Sequence, residues 1–252
     1  MAGDGTGDVL GHRCKLGVLI PATNTIVQPE LDRMRPLGVT NHIARIRNPD
    51  MPITSDADFV RLVELLAKEL DAAADTLLAC APDGLLLGVT ALSVWGGRLA
   101  SETRLAALET RAGVPVTGGA EALADGIAAL GLRRVGLLSP YQPVLDTQVI
   151  RFLAEGGVEV VTCRGLRCAS PLAIAAVRPD QLRAEIRAHD SDRIEAWVQV
   201  GTNLAMAGLV APLEAELGKP VLAVNPVSYR RALRRAGIDD PIPGHGRLLA
   251  GA

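Results

Sequence analysis

Four short stretches hold the residue types that could do chemistry. They read IPATNT (20–25), LLLGVTALS (85–93), SPYQPVLD (139–146) and VGTNL (200–204). Each follows an apolar run and offers amides, hydroxyls or a phenol. The first brings Asn24 and Thr25. The second brings Thr90 and Ser93 beside Val89 and Ala91. The third brings Tyr141, and the fourth Gly201, Thr202 and Asn203. Such groups, together with the unpaired N–H groups at a helix start, suit an anionic oxygen. The ligand they imply is a small carboxylate or an enolate-like species. Taken singly, Asn24, Thr25, Thr90 and Thr202 also read as helix caps, and Tyr141 as a core residue with a tethered hydroxyl. Four polar ends in two repeated pairs say more than any one of them.

The elements that must position these stretches alternate in type. Strand patterns fall at 15–21, 83–90, 114–118, 134–140, 158–163, 196–202 and 219–226. Helical patterns fall at 56–79, 101–112, 120–131, 143–155, 179–189, 207–217 and 226–236. In the first helix Phe59, Leu62, Val63, Leu66 and Leu70 share one face at helical spacing, with Ser55 or Asp56 as cap. The strand GLLL shows no alternation, as expected when helices cover both faces of a parallel sheet. The halves also resemble each other: GVLIPATNT matches GLLSPYQPV, GLLLGVTALS matches AWVQVGTNLA, and LETRAGVPV matches LEAELGKPV.

This predicts an α/β protein with two pseudo-symmetric Rossmann-like lobes, mainly parallel sheets and a cleft between them. The expected divisions are a flexible tail over 1–14, one lobe over 15–116, a second over 117–235, and a C-terminal segment over 236–252 crossing back. Parallel sheets bind ligands beyond the carboxyl ends of their strands, so the cleft is the expected site.

Composition narrows the function classes. Aromatics are 2% and net charge is −2, which argues against nucleic-acid binding. No apolar run reaches the length of a membrane helix and no signal-peptide pattern opens the chain, so a cytoplasmic protein is expected. Cys14, Cys80, Cys163 and Cys168 match no common zinc spacing and are expected to be reduced, with no metal site. The stretch 204–217 reads as a core helix rather than an interface face.

The four stretches, in order, resemble the maleate cis–trans isomerase and arylmalonate decarboxylase family of the aspartate/glutamate/hydantoin racemase superfamily. GHGRLL (244–249) is similar to the ending of the decarboxylase branch, and the resemblance runs from about 15 to 249. It implies an active site between two lobes, no metal or organic cofactor, a small carboxylate substrate and a homodimer. It also implies cysteine chemistry at a strand end in one or both lobes. Those positions are Val89 and Gly201 here, so both expected thiols are replaced. Asn24 matches an amide that orients a carboxylate, Tyr141 a phenol donor, and Thr90 and Thr202 oxyanion donors. A further asparagine of the isomerases falls near Ser170.

The resulting expectation is a cofactor-independent isomerase or decarboxylase-like lyase working through an enolate-type intermediate without those cysteines. Tyr141, Thr90 and Thr202 are its catalytic candidates, with Tyr141 the acid–base group if neighbouring donors lower its pKa. Asn24, Thr25, Val89, Ala91, Ser93, Gly201 and Asn203 are the candidates for substrate contact. His245 is a second candidate base. Of the thiols only Cys168 has a route to the cleft. Trp95 reads as an apolar wall or as packing, and Arg98 as solvated. The alternatives are a hydratase or hydrolase using water in space left at Gly201, and a carboxylate-binding protein without catalysis.

Overall fold

The computed structural model describes residues 8–251, and residues 1–7 of the expected tail lie outside it. Two four-stranded parallel sheets form the frame. The first contains β1 (Cys14–Pro21), β2 (Val39–Ile46), β3 (Gly84–Leu87) and β4 (Val116–Gly118), in the order β2-β1-β3-β4. The second contains β5 (Arg134–Ser139), β6 (Glu159–Gly165), β7 (Ala196–Gln199) and β8 (Val221–Ala223), in the order β6-β5-β7-β8. The identical order in both sheets is the structural form of the internal repeat.

Strand β2 is absent from the sequence reading. Its sequence VTNHIARI is polar at several places, and it lies at a sheet edge with four consecutive half-buried residues. An edge strand covered on fewer sides carries a weaker apolar signal. Three short helices were also unseen: α1 (Val27–Met34), α3 (Thr90–Val94) and α7 (Pro171–Ala175). Strands expected to run to Thr90, Thr202 and Pro226 stop earlier, at Leu87, Gln199 and Ala223. Thr90 therefore opens a helix.

Helix α2 (Asp56–Leu78) begins with a reciprocal cap: Ser55 Oγ accepts from Asp58 N, and the Asp58 carboxylate accepts from Ser55 N. Two acidic residues in its first turn favour the positive end of the helix dipole. Its stripe of Phe59, Leu62, Val63, Leu66 and Leu70 is buried.

The helices α4 (Gly97–Ala112), α6 (Pro143–Glu155), α8 (Pro179–His189) and α9 (Val210–Leu217) flank the sheets, and α9 follows a single 3-10 turn at Ala207–Leu209. Val210 and Leu213 are buried in the second sheet's core. The last strand of each sheet passes into a helix that touches the other half. After β4, α5 (Gly119–Ala129) packs on β8, and after β8, α10 (Val224–Arg235) packs on β3, β4 and α1. Tyr229, Leu233, Ile238, Ile242 and Leu249 join the core beneath Leu16, Val18 and Ile20. The crossing back therefore begins at Val224, one helix before position 236. The N-terminal end differs too: Cys14 opens β1 and is fully buried. Among the described residues no helix is long and apolar enough to cross a membrane.

Candidate active site

A cavity of about 60 Å³ lies where the carboxyl ends of β1, β3, β5 and β7 converge. From these ends come Pro21, Thr23, Asn24, Val89, Thr90, Ala91, Pro140, Tyr141, Thr202 and Asn203. Helix α2 supplies an apolar wall of Phe59, Leu62 and Leu66, joined by Ile53 and Ile174. The segment from Cys168 to Pro171 closes another side.

Two loops latch over the cavity from opposite sheets. Ile53 N donates to Ala169 O at 2.7 Å, Leu172 N to Asp50 Oδ1 at 2.9 Å, and Gln142 Nε2 to Ile53 O at 3.1 Å. Ser170 Oγ donates to Asp50 Oδ2 at 3.2 Å and accepts from Ala173 N at 3.3 Å as the cap of α7.

The paired strand ends meet across the lobes. Gly201 N donates to Thr90 Oγ1 at 3.3 Å, and Thr202 Oγ1 donates to Gly88 O at 3.0 Å. Thr202 Oγ1 also accepts from Asn24 Nδ2 at 3.2 Å. The Thr202 proton is thus spent on a lobe-to-lobe bond, and the residue acts as a strut. Asn24 Oδ1 takes the Ile26 and Val27 amides at 3.0 and 2.9 Å at the start of α1, and the residue also lines the cavity. Thr90 accepts from Gly201 N, and Thr90 and Tyr141 both line the cavity. The N–H groups of Thr90 and Ala91, in the first turn of α3, have no carbonyl within that helix to bond.

Burial pushes the Tyr141 hydroxyl well above its ordinary pKa, against the smaller opposite pull of Thr90. The expectation of a lowered Tyr141 is overturned: at neutral pH it is a hydrogen-bond donor and no base. Its ring meets Phe59 edge-on, with centroids 5.5 Å apart and planes at 69°.

Three expected contact residues are elsewhere. Thr25 is exposed and spends its N–H on Asn203 Oδ1 at 2.9 Å. Ser93 lies beneath the cavity floor, donating to Val89 O at 3.0 Å and accepting from Gly119 N at 3.3 Å. Gly201 borders the cavity without lining it, and the space expected there is filled. It has φ +99, and a Cβ would come within 2.5 Å of the Pro140 ring and 3.6 Å of the Tyr141 hydroxyl. His245 Nδ1 lies 3.2 Å from Ala207 O, away from the cavity lining. Trp95 stacks at a tilt on Phe59 behind the wall, and Arg98 covers the Phe152 ring at 5.1 Å instead of standing in solvent.

The site does hold sulfur. Cys168 lines the cavity, and its charge would oppose ionisation of Tyr141, which places the two groups close together. Burial raises its pKa to about 11, so it is a thiol at neutral pH. Asn48 was also missed. Asn48 follows unrecognised β2 as Asn24 follows β1; it donates to Thr23 Oγ1 at 3.0 Å and accepts from Ala22 N at 2.8 Å. Recognising β2 would have exposed that parallel.

The charge pattern decides what such a site can do. Among the described residues, those lining the cavity include no Lys, Arg, His, Asp or Glu. Tyr141 and Cys168 are its two groups with an ionisable proton, and both hold that proton at neutral pH. The site can donate protons and hydrogen bonds, and it has no side chain that abstracts a proton.

The sequence profile of the family described as arylmalonate decarboxylase matches residues 17–249. The maleate isomerase of Pseudomonas putida KT2440 is 29% identical, covering 94% of this chain and 98% of that protein. The arylmalonate decarboxylase of Bordetella bronchiseptica is 32% identical over 64% of this chain and 68% of that protein. The crystal structure of a Pseudomonas putida S16 maleate isomerase variant with maleate superposes with a TM-score of 0.83 at 25% identity, over 95% of this chain and 98% of that one.

Proposed function

The chain belongs to the arylmalonate decarboxylase family, and from that premise we propose that it is a lyase that decarboxylates a small malonate-type diacid bearing an apolar substituent. At the level shared by its relatives it is an isomerase- or decarboxylase-type enzyme. The observation that carries the finer reading is the pairing of two proton donors with no base in the cavity. Racemisation and hydration both begin by removing a proton, from carbon or from water. Adding a thiolate to a double bond requires an ionised cysteine. Decarboxylation requires neither, because breaking the carbon–carbon bond itself leaves the electron pair on carbon.

One carboxylate is gripped by the Tyr141 and Thr90 hydroxyls, the Asn24 amide and the first-turn amides of α3. The other faces Ile53, Phe59, Leu62 and Leu66, where a charged group is costly and neutral CO2 is not. As CO2 leaves, negative charge moves onto the retained carboxylate as an enediolate, and donors already in place strengthen with it. The Cys168 S–H then delivers its proton to the carbon, and the thiolate is reprotonated from water. Cys168 is the stronger acid of the two, since Tyr141 is pushed further up by deeper burial.

The test is CO2 release from aryl- and alkylmalonates by the parent and by Tyr141→Phe. Loss of one oxyanion donor should lower kcat about 10²–10³-fold while binding of the product acid holds. No CO2 from any substituted malonate overturns the proposal. Carboxylate binding with no turnover would favour the binding-protein alternative.

A further inference from the structure

A charged pair sits just outside the cavity, behind the segment that carries Tyr141. Asp146, on α6, is 4% exposed and ion-paired with Arg167. Arg167 Nη1 donates both to Asp146 Oδ2 and to the backbone carbonyl of Tyr141. Tyr141 N donates to Ser139 Oγ at 3.1 Å, and that hydroxyl adjoins the Asp146 carboxyl. The Tyr141 carbonyl is therefore tied to Asp146 through the Arg167 guanidinium.

The same segment carries the thiol. Beyond the paired ends of β5 and β6, Leu166 N donates to Ser139 O at 2.7 Å and Cys168 N to Pro140 O at 2.9 Å. Between them Arg167 has φ +55, a left-handed conformation that non-glycine residues seldom adopt. Only this turn lets residues 166 and 168 stay bonded to β5's end while the guanidinium folds back onto Asp146. Strain of this kind persists where surrounding contacts over-determine it.

We propose that Arg167 and Asp146 are positioning residues, whose ion pair clamps the segment bearing Cys168 onto the segment bearing Tyr141. The clamp fixes the proton donor and the oxyanion donor on one wall at a set separation. This rests on the decarboxylation reading for its catalytic meaning, and on the geometry alone for the clamp. An ordinary structural ion pair would stabilise the fold without setting where the thiol stands.

Arg167→Gly removes the side chain that forms the pair while keeping the turn, because glycine adopts positive φ freely. The clamp predicts a folded variant with unchanged KM and kcat lowered about 10–100-fold, as small misplacements of reacting groups do. It predicts that the product of a prochiral arylalkylmalonate loses optical purity, because a displaced thiol lets solvent protonate the enediolate from either face. Arg167→Lys should recover part of both. Alkylation of Cys168 by iodoacetamide, mapped by mass spectrometry against Cys80, should accelerate in Arg167→Gly and in Asp146→Asn. If neither variant alters Cys168 alkylation, the clamp is overturned whatever the enzyme's reaction. If the parent decarboxylates no malonate yet alkylation accelerates, the clamp stands and the decarboxylation reading falls. An active parent with rate and optical purity untouched by Arg167→Gly removes the catalytic role.

Discussion

At Gly201 the backbone itself excludes a side chain. Its φ of +99 and the 2.5 Å approach of a Cβ to the Pro140 ring make this strand end a glycine conformation. Gly201→Ala is expected to lower stability by about 1–3 kcal/mol, the usual cost of a side chain forced into such backbone, seen as a lower denaturant midpoint. Gly201→Cys should be destabilised alike and gain no isomerase activity. A cysteine variant as stable as the parent would show that Pro140 yields. The same close fit explains why the room expected at this position is missing: Pro140 follows the end of the neighbouring strand β5, and adjacency between strand ends cannot be read along a chain. The hydroxyls and amides, by contrast, were legible because each follows an apolar run within its own stretch. Their division of labour was not. Thr202 spends its proton on Gly88 O and Tyr141 is pushed up by burial, and both effects come from neighbours far away in sequence.

Helix α2 joins local signal to site most directly. Its periodic face is written in the sequence, its cap lies at Ser55, and its first turns place Phe59, Leu62 and Leu66 against the cavity. Ser55→Ala removes the acceptor for Asp58 N and should cost about 1 kcal/mol. Urea denaturation should show this as a shifted midpoint with unchanged slope. If the midpoint does not move, the cap contributes nothing measurable. Elements with little periodicity escaped recognition for a physical reason. β2 is an edge strand with half-buried polar positions, and α1, α3 and α7 are no longer than eight residues, too short for a 3.6-residue pattern to emerge. The loops that latch the cavity have no period at all. Asp50 and Ile53 find Leu172 and Ala169 only because two strand ends bring them together.

The two halves are joined by buried polar contacts as well as by a shared apolar core. Glu30, 7% exposed on α1, accepts from Asn225 Nδ2 at 2.7 Å and Ala207 N at 2.8 Å, and Asn225 Nδ2 also donates to Thr202 O at 2.9 Å. Glu30→Ala leaves those donors without their acceptor and should cost about 3 kcal/mol. Burial is the largest influence on the Glu30 carboxyl and raises its pKa, against the pull of Asn225 and Ala207 N–H. A raised carboxyl contributes stability that is complete below its unfolded value and is lost as pH rises through the folded one. The gap between parent and Glu30→Ala should therefore be widest at acid pH and narrow toward neutrality, measured by denaturation across that range. A gap that widens with pH would reverse the assignment.

Alternating short apolar runs and amphipathic stretches, repeated twice, were enough to specify a parallel α/β architecture with polar groups at its strand ends. Those features depend on near neighbours and on periods of a few residues, which a chain displays directly. Tertiary contact settled everything else. Within the second half it filled the space at Gly201 with Pro140, turned Arg167 back onto Asp146 and carried Cys168 to the cavity wall, and the closed cavity left every charged side chain off that wall. Burial and cross-lobe distance set whether a phenol or thiol keeps its proton, and both come into being only when the two sheets close on each other.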